Sequence, residues 1–286
     1  MSVFNKSLIQ KSIGIGVLAG ALVFTASVIA GVADQDIKAF QSSIQKKFPA
    51  VEFAEFANGA YAFDMDAREQ WLEMEEFAPY EIALEEGEEL FNTPFANGKS
   101  YADCFENGGI GVRQNYPYYD QEQNQVVTLE LAINQCREKN GEALLGYKKG
   151  DIASISAYMA YTSRGNTFTQ NVPDDPGAVA AYEKGKEYFY SRRGQLNFSC
   201  ASCHIQSSGN MLRAELLSSA LGHVTHWPVY RSKWGDMGTL HRRIAGCNEQ
   251  VRAKPLAGQS ETYRNLEYFM TVMSQGLNVN GPGSRK

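Results

Sequence analysis

The chain has 286 residues, five of them cysteine and four histidine, with 27 Lys and Arg against 32 Asp and Glu for a formal net charge of −5. That acidic balance excludes a broad basic nucleic-acid-binding surface, and no nucleic acid is expected as a partner. With 43% hydrophobic residues the chain can fill one large core or two of ordinary size.

Lys6 and Lys11 precede an apolar stretch from Ile13 to Ala30, and small residues then lead to Ala33-Asp34-Gln35-Asp36. This is the pattern of a secretory signal peptide over residues 1–33, cleaved near Ala33. The run is also just long enough to span a bilayer, so a retained anchor is the alternative. Export places the mature chain, in a bacterium, in the periplasm. Acidic stretches at Glu73 to Glu76 and Glu85 to Glu89 read as solvated helix faces, with a docking surface for a basic electron carrier as the second reading.

Tyr80, Leu84, Gly87 and Phe91 fall at i, i+4, i+7 and i+11, one face of an amphipathic helix. A glycine on that face permits close approach of another helix. That second helix is expected to start at Asp151 as N-cap, with Ile152, Ile155, Met159 and Thr162 on one stripe. Gly- and Tyr-rich connections such as Glu106 to Tyr119 read as loops. A turn-rich linker follows at Val172-Pro173-Asp174-Asp175-Pro176-Gly177.

Beyond the linker Ala178, Tyr182, Gly185 and Phe189 repeat the first helical face, and Tyr263, Leu266, Met270 and Met273 repeat the second. Between them lies Cys200-Ala201-Ser202-Cys203-His204. Cys-x-x-Cys-His is the spacing of covalent haem attachment, with two thioethers and the adjacent imidazole as one axial iron ligand. A zinc site would need a second ligand pair, and a thioredoxin-like motif a βαβ context. Covalent attachment occurs outside the cytoplasm, in agreement with the export signal.

The two halves match over a longer span. Tyr116-Pro117 recurs as Trp227-Pro228, Thr128-Leu129 as Thr239-Leu240, Ile133 as Ile244 and Cys136 as Cys247, all at one offset. Carried to the pentad, the repeat sets Tyr101-Ala102-Asp103-Cys104-Phe105 opposite Cys200 to His204. The first copy lacks the first cysteine and the histidine, and no histidine occurs before His204. It is expected to be haem-less, leaving one covalently bound haem c in the chain. Cys104 and Cys136 correspond to Cys203 and Cys247, positions that flank the haem in the second copy, so a Cys104–Cys136 disulfide is expected in an oxidising compartment.

Cys247 is then the spare thiol. Arg242 and Arg243 lie just upstream in His241-Arg242-Arg243-Ile244-Ala245-Gly246-Cys247-Asn248. Guanidinium charge favours the thiolate, and the same donors bind oxyanions. An inert buried thiol is the alternative. The sixth iron ligand stays open among Cys247, His223, His226, His241 and the methionines.

On the pentad, the Trp227-Pro228-Val229-Tyr230 segment, the Arg243-to-Asn248 segment and the paired halves, the chain resembles the A subunit of the SoxAX cytochromes of bacterial sulfur oxidation, in its single-haem type. The resemblance implies an L-cysteine S-thiosulfotransferase that joins thiosulfate to a cysteine of the sulfur carrier SoxYZ. Electrons would leave through haem to the SoxX subunit of a heterodimer and then to a soluble cytochrome c. It also implies that Cys247 ligates the iron and carries a cysteine persulfide, and that Arg243 binds the anionic substrate.

The expected fold is mainly α, with two tandem cytochrome c-like domains related by a pseudo-twofold, a haem-less one at 34–170 and a haem-bearing one at 171–286. The rival function is a periplasmic electron-transfer cytochrome c without sulfur-transfer activity. A haem-based sensor is the second rival, although the chain lacks an adjoining signalling module.

Overall fold

The computed structural model describes residues 26–285. Among them no helix is long and apolar enough to cross a membrane. The expected signal segment lies largely outside the described residues, and its expected end at Ala33 falls within the first helix, α1 (Ala26–Lys47). Ala33, Ile37, Phe40 and Ile44 form the buried stripe of α1, and each large side chain withdrawn this way contributes roughly 1.5–3 kcal/mol. They pack with the core of the second half of the chain. Gln41 donates to the Met273 and Gln275 carbonyls at 3.2 and 2.9 Å, fastening α1 to that core.

A run of 3₁₀ turns (Phe53–Ala62) and α2 (Met65–Glu75) lead to the first copy of the repeat. It consists of α3 (Glu81–Asn92), a hairpin of β1 (Tyr118–Asp120) and β2 (Gln125–Val127), α4 (Leu129–Lys139) and α5 (Asp151–Tyr161). The second copy begins with α6 (Pro176–Tyr190), whose N-cap Asp175 accepts from the Ala178 amide at 2.9 Å. A short hairpin of β3 (Met211–Leu212) and β4 (Glu215–Leu216) follows. Then come β5 (Val229–Arg231), β6 (Asp236–Gly238), α7 (Leu240–Gln250), α8 (Glu261–Met273) and β7 (Gly283–Arg285). β5 pairs antiparallel with β6 and parallel with β7. The hairpins and the helices after them recur at the offset read from the sequence.

Both glycine crossings are present. A Cβ on Gly87 would stand 2.0 Å from the Ser154 carbonyl oxygen of α5, and one on Gly185 would stand 2.1 Å from that of Asn265 on α8. Only glycine lets these backbones meet. Tyr80, Gly87 and Phe91 of the first face are buried, as are Ala178, Tyr182, Gly185 and Phe189 of the second. One detail differs: Gly150 caps α5 and Asp151 is its first helical residue. Gly150 has a φ of 71°, a conformation glycine adopts without strain, and the Asp151 carboxylate still meets the positive end of the helix.

The copies meet about a pseudo-twofold. Thr128, the N-cap of α4, donates to Gln259 Oε1 at 2.8 Å, and Thr239, the N-cap of α7, donates to the Tyr147 carbonyl at 2.8 Å. Beneath them, Ser156 donates to Glu130 at 2.9 Å in the first copy, while His241 Nε2 sits 3.1 Å from Glu267 at the matching positions of the second.

Candidate functional site

Haem attachment needs two cysteines and a histidine facing one space, and the local chain is built for that. Ser199 and Ser202 clamp each other reciprocally: each hydroxyl accepts the other's backbone N–H at 3.1 Å. The turn they start continues as a π-helical segment (Ser202–Gln206), and Lys47 of α1 closes its far end by donating to the Ile205 and Gln206 carbonyls at 2.9 Å. Cys200 and Cys203, one turn apart, line the same cavity of about 270 Å³ together with His204.

His204 is oriented by its outer nitrogen. Nδ1 lies 3.0 Å from the Ser218 carbonyl, which can only accept, so Nδ1 carries the proton and Nε2 is left with its lone pair. Burial pushes the His204 pKa down to about 4, so the imidazole is neutral, the form that ligates metals. Burial also pushes the Cys200 thiol up to about 11. A disulfide-exchange motif calls for the opposite shift at its attacking cysteine, which weighs against the redox reading of this Cys-x-x-Cys.

The opposite wall is α7. Arg243 and Cys247, one helical turn apart, both line the cavity, with Ile244, Leu266 and Met270 as apolar neighbours. Neither side chain has a hydrogen bond or ion pair to another described residue. Arg243 also faces a second pocket of about 550 Å³ that includes Arg213, Arg231, Lys233 and Trp234. Arg242 points elsewhere: it donates to the Met237 carbonyl at 2.9 Å, lies 3.6 Å from Asp236 and stacks on Trp234. Its role is to hold α7 to β6.

The candidates for the sixth ligand separate by position. His241 accepts the Gln259 amide on Nδ1 at 3.0 Å and turns Nε2 to Glu267, away from the cavity. His223 lines the cavity but meets the His204 ring edge-on with centroids 4.2 Å apart. An iron held between two imidazoles keeps their centroids roughly 6 Å apart, because each metal–nitrogen bond is about 2 Å. His223 is therefore a neighbour of His204 rather than its partner across iron. Met273 is packed in the core, and Met159 is buried in the first copy. Cys247, Met270 and His226 remain on the cavity wall.

The first copy replaces this cavity with side chains. Cys104 and Cys136 are disulfide-bonded, with Cα atoms 5.8 Å apart. Tyr101, at the position of Cys200, stacks on Phe91 and accepts from Arg137 at 2.9 Å. Phe105, at the position of His204, is buried against Tyr116.

Some contributors have no sequence signature. Ser218 acts through its carbonyl, and Tyr61 and Arg285 reach the cavity from opposite ends of the chain. Ser202 lies in a variable slot of the motif, although a serine three residues after another is a recognisable turn signal.

Two thioether positions, a neutral imidazole with a free Nε2, apolar walls and a facing sulfur fit a covalently attached haem. Among the described residues no group of three His, Cys, Asp or Glu side chains converges to hold a metal ion on its own. The fold and the site together define a c-type cytochrome built from a duplicated domain. A family model described as the SoxA/TsdA cytochrome c domain matches residues 86–168 and 184–279. The chain belongs to this SoxA family. It is 54% identical to the L-cysteine S-thiosulfotransferase subunit SoxA of Chlorobaculum tepidum, over 97% of this chain and 100% of that protein. It is 56% identical to the corresponding subunit of Allochromatium vinosum, over 94% of this chain and 96% of that one. Among solved structures, SoxXA from P. pantotrophus aligns with a TM-score of 0.67 at 30% identity, covering 73% of this chain and 79% of that chain.

Proposed function

We propose that this chain is the haem-bearing subunit of an L-cysteine S-thiosulfotransferase, oxidatively joining thiosulfate to a cysteine of the sulfur-carrier protein SoxYZ. The carrying observation is the pairing on α7 of Arg243 and Cys247 in the wall of the cavity that also holds Cys200, Cys203 and His204. Cys200 and Cys203 would hold one haem c, with His204 and Cys247 as the side chains that would ligate its iron. When bound, the haem supplies the one-electron acceptor and the path by which electrons leave.

The remaining chemistry falls to the chain. Arg243 binds the sulfonate oxygens of thiosulfate with its planar fork and aims the sulfane sulfur at Cys247. Cys247 works as a persulfide. Its outer sulfur bonds the sulfane sulfur of thiosulfate with loss of two electrons. The carrier thiolate then attacks that sulfane sulfur, forming the carrier S–S bond and returning the Cys247 persulfide as leaving group. Per turnover one carrier thiol and one thiosulfate give one conjugate, one proton and two electrons.

Within this reading residues 1–33 are a signal peptide, the mature protein is periplasmic, and the chain divides into a haem-less domain at 34–170 and a haem domain at 171–286. A SoxX subunit completes a heterodimer and passes electrons to a soluble cytochrome c. The relative whose printed title is SoxXA supports that assembly.

A plain electron-transfer cytochrome has one observation in its favour: Met270 lines the same cavity and could ligate iron in place of Cys247. Intact mass after mild isolation separates the readings. One haem, one disulfide and one extra sulfur atom lost on reduction are expected. Cys247→Ala should then abolish thiosulfate coupling and shift the haem ligand-field bands. A bare Cys247 thiol with a methionine-ligated spectrum overturns the proposal.

A further inference from the structure

The cavity wall carries more positive charge than thiosulfate chemistry uses. Arg193, Arg231, Arg243 and Arg285 line it against two carboxylates, Asp64 and Glu215. Arg193 belongs to the attachment edge, stacked on Tyr188 and 3.7 Å from the Cys200 sulfur. Arg243 lies between that edge and the rest, close enough to influence Cys203 and His204 on one side and Arg231 on the other.

Arg231 and Arg285 form the remote end. They sit one above the other as the closing pair of the parallel β5–β7 register. Arg285 lies over the Tyr61 ring at 4.8 Å, donates to the Ser284 and Asn58 carbonyls at 2.7 and 3.4 Å, and forms no ion pair with a described carboxylate. Arg231, 9% exposed, lies 3.5 Å from Glu215 on the solvent-exposed β3–β4 hairpin and 5.4 Å from the Trp234 ring. Burial lowers both pKa values, and the Arg231 charge adds slightly to the lowering at Arg285. Two guanidiniums at one end of a cavity give that end a positive potential complementary to carboxylates.

A haem fixed by its vinyl carbons at Cys200 and Cys203 turns its two carboxylates away from those cysteines. We propose that Arg231 and Arg285 are the binding residues for the two propionate carboxylates of that haem, and that the C-terminal strand β7 is retained against β5 to deliver Arg285. The inference rests on the haem reading of Cys200 and Cys203, not on the sulfur chemistry of Cys247. Free oxyanions such as thiosulfate share the carboxylate's chemistry, so the test must separate the two sources.

The experiment uses the full-length holoprotein, with covalent haem counted by mass, and the variants R285Q, R231Q, R285K and R231K. Fixed positive charge beside the propionates favours reduced haem. Each glutamine variant should therefore have a lower midpoint potential and a steeper fall of potential with pH, as the released propionate titrates. The lysine variants should return both quantities toward the unaltered protein. Thiosulfate affinity, read by optical titration, should change less than twofold in R285Q. In the unaltered holoprotein the carbon-13 signals of the propionate carboxylates should remain at the ionised position at about pH 4, where an exposed carboxylic acid is half protonated. This measurement stands even if a glutamine variant fails to fold. Haem attached with an unchanged potential and pH slope in both glutamine variants overturns the inference alone, as does a tenfold loss of thiosulfate affinity at constant potential. A holoprotein without covalent haem removes the haem reading and the inference together.

Discussion

Residues Tyr101 to Phe105 and Cys200 to His204 occupy the same place in two copies of one fold, and they solve the same packing problem in opposite ways. In the second copy the space between the α6–α8 crossing and α7 is a cavity, with Cys203 and Cys247 on its walls. In the first copy the corresponding Cys104 and Cys136 are bonded to each other, and Tyr101, Phe91, Phe95 and Phe105 fill the remainder. The same frame thus encloses a cavity in one copy and a core of aromatic rings and a disulfide in the other. The helix crossings, hairpin and N-caps survive either way, so the frame depends on the glycines and caps more than on what fills it.

The largest effect that would break the comparison is loss of the filler in the second copy. Cys200→Ala with Cys203→Ala should abolish covalent haem, read by haem staining after denaturing electrophoresis, while the Cys104–Cys136 bond stays intact by mass. The matching change in the first copy, Cys104→Ala with Cys136→Ala, opens a loop of sequence separation 32 and should cost about 3.7 kcal/mol. It should leave the haem spectrum unaltered, measured by denaturant unfolding beside absorption. Loss of haem from that variant would show that the copies are not independent in filling.

The frame was legible in the sequence to the extent that it is local or duplicated. The pentad is local, and Gly87 and Gly185 stand at matching places in two amphipathic faces, so each copy checked the other. The disulfide was legible only because the repeat aligned Cys104 with Cys203 and Cys136 with Cys247. The strands at Tyr118–Asp120 and Val229–Arg231 leave no pattern in the sequence because three residues are too few to show alternation. The Ser218 carbonyl could not be foreseen, since backbone groups carry no residue signature. Arg231 and Arg285 were invisible as a pair because their adjacency is created by a parallel pairing between segments far apart in the chain.

The glycine crossings offer a sharper, smaller test of equivalence. Gly87→Ala and Gly185→Ala each place a methyl about 2 Å from a backbone carbonyl oxygen, which helices can relieve only by separating. Each should cost about 2 kcal/mol, and the two costs should agree within experimental error by chemical denaturation. A much smaller cost at Gly87 would mean that the aromatic filling of the first copy yields where the haem cavity does not.

The smallest effect concerns the pseudo-twofold itself, where Glu130 of the first copy matches His241 of the second. Glu130 faces Ser156, Arg113, Glu267 and His241; burial, and then the Glu267 charge, raise its pKa above the usual 4.5. A raised carboxyl pKa means that folding takes up a proton. The group's contribution is therefore most favourable below about pH 4.5 and is lost as pH rises through the raised value. Glutamine keeps the acceptor for Ser156 and removes the titration. Glu130→Gln should thus equal the unaltered protein near pH 4 and exceed it by about 1 kcal/mol near pH 8. The second copy contributes to the acid limb, because burial holds His226 well below 6.5 and unfolding is favoured as pH falls below that value, where the unfolded chain binds the proton. Denaturant unfolding across this pH range should show Glu130→Gln lifting the alkaline limb and leaving the acid limb in place. A shift of both limbs would mean that the interface couples the two copies into one titrating unit.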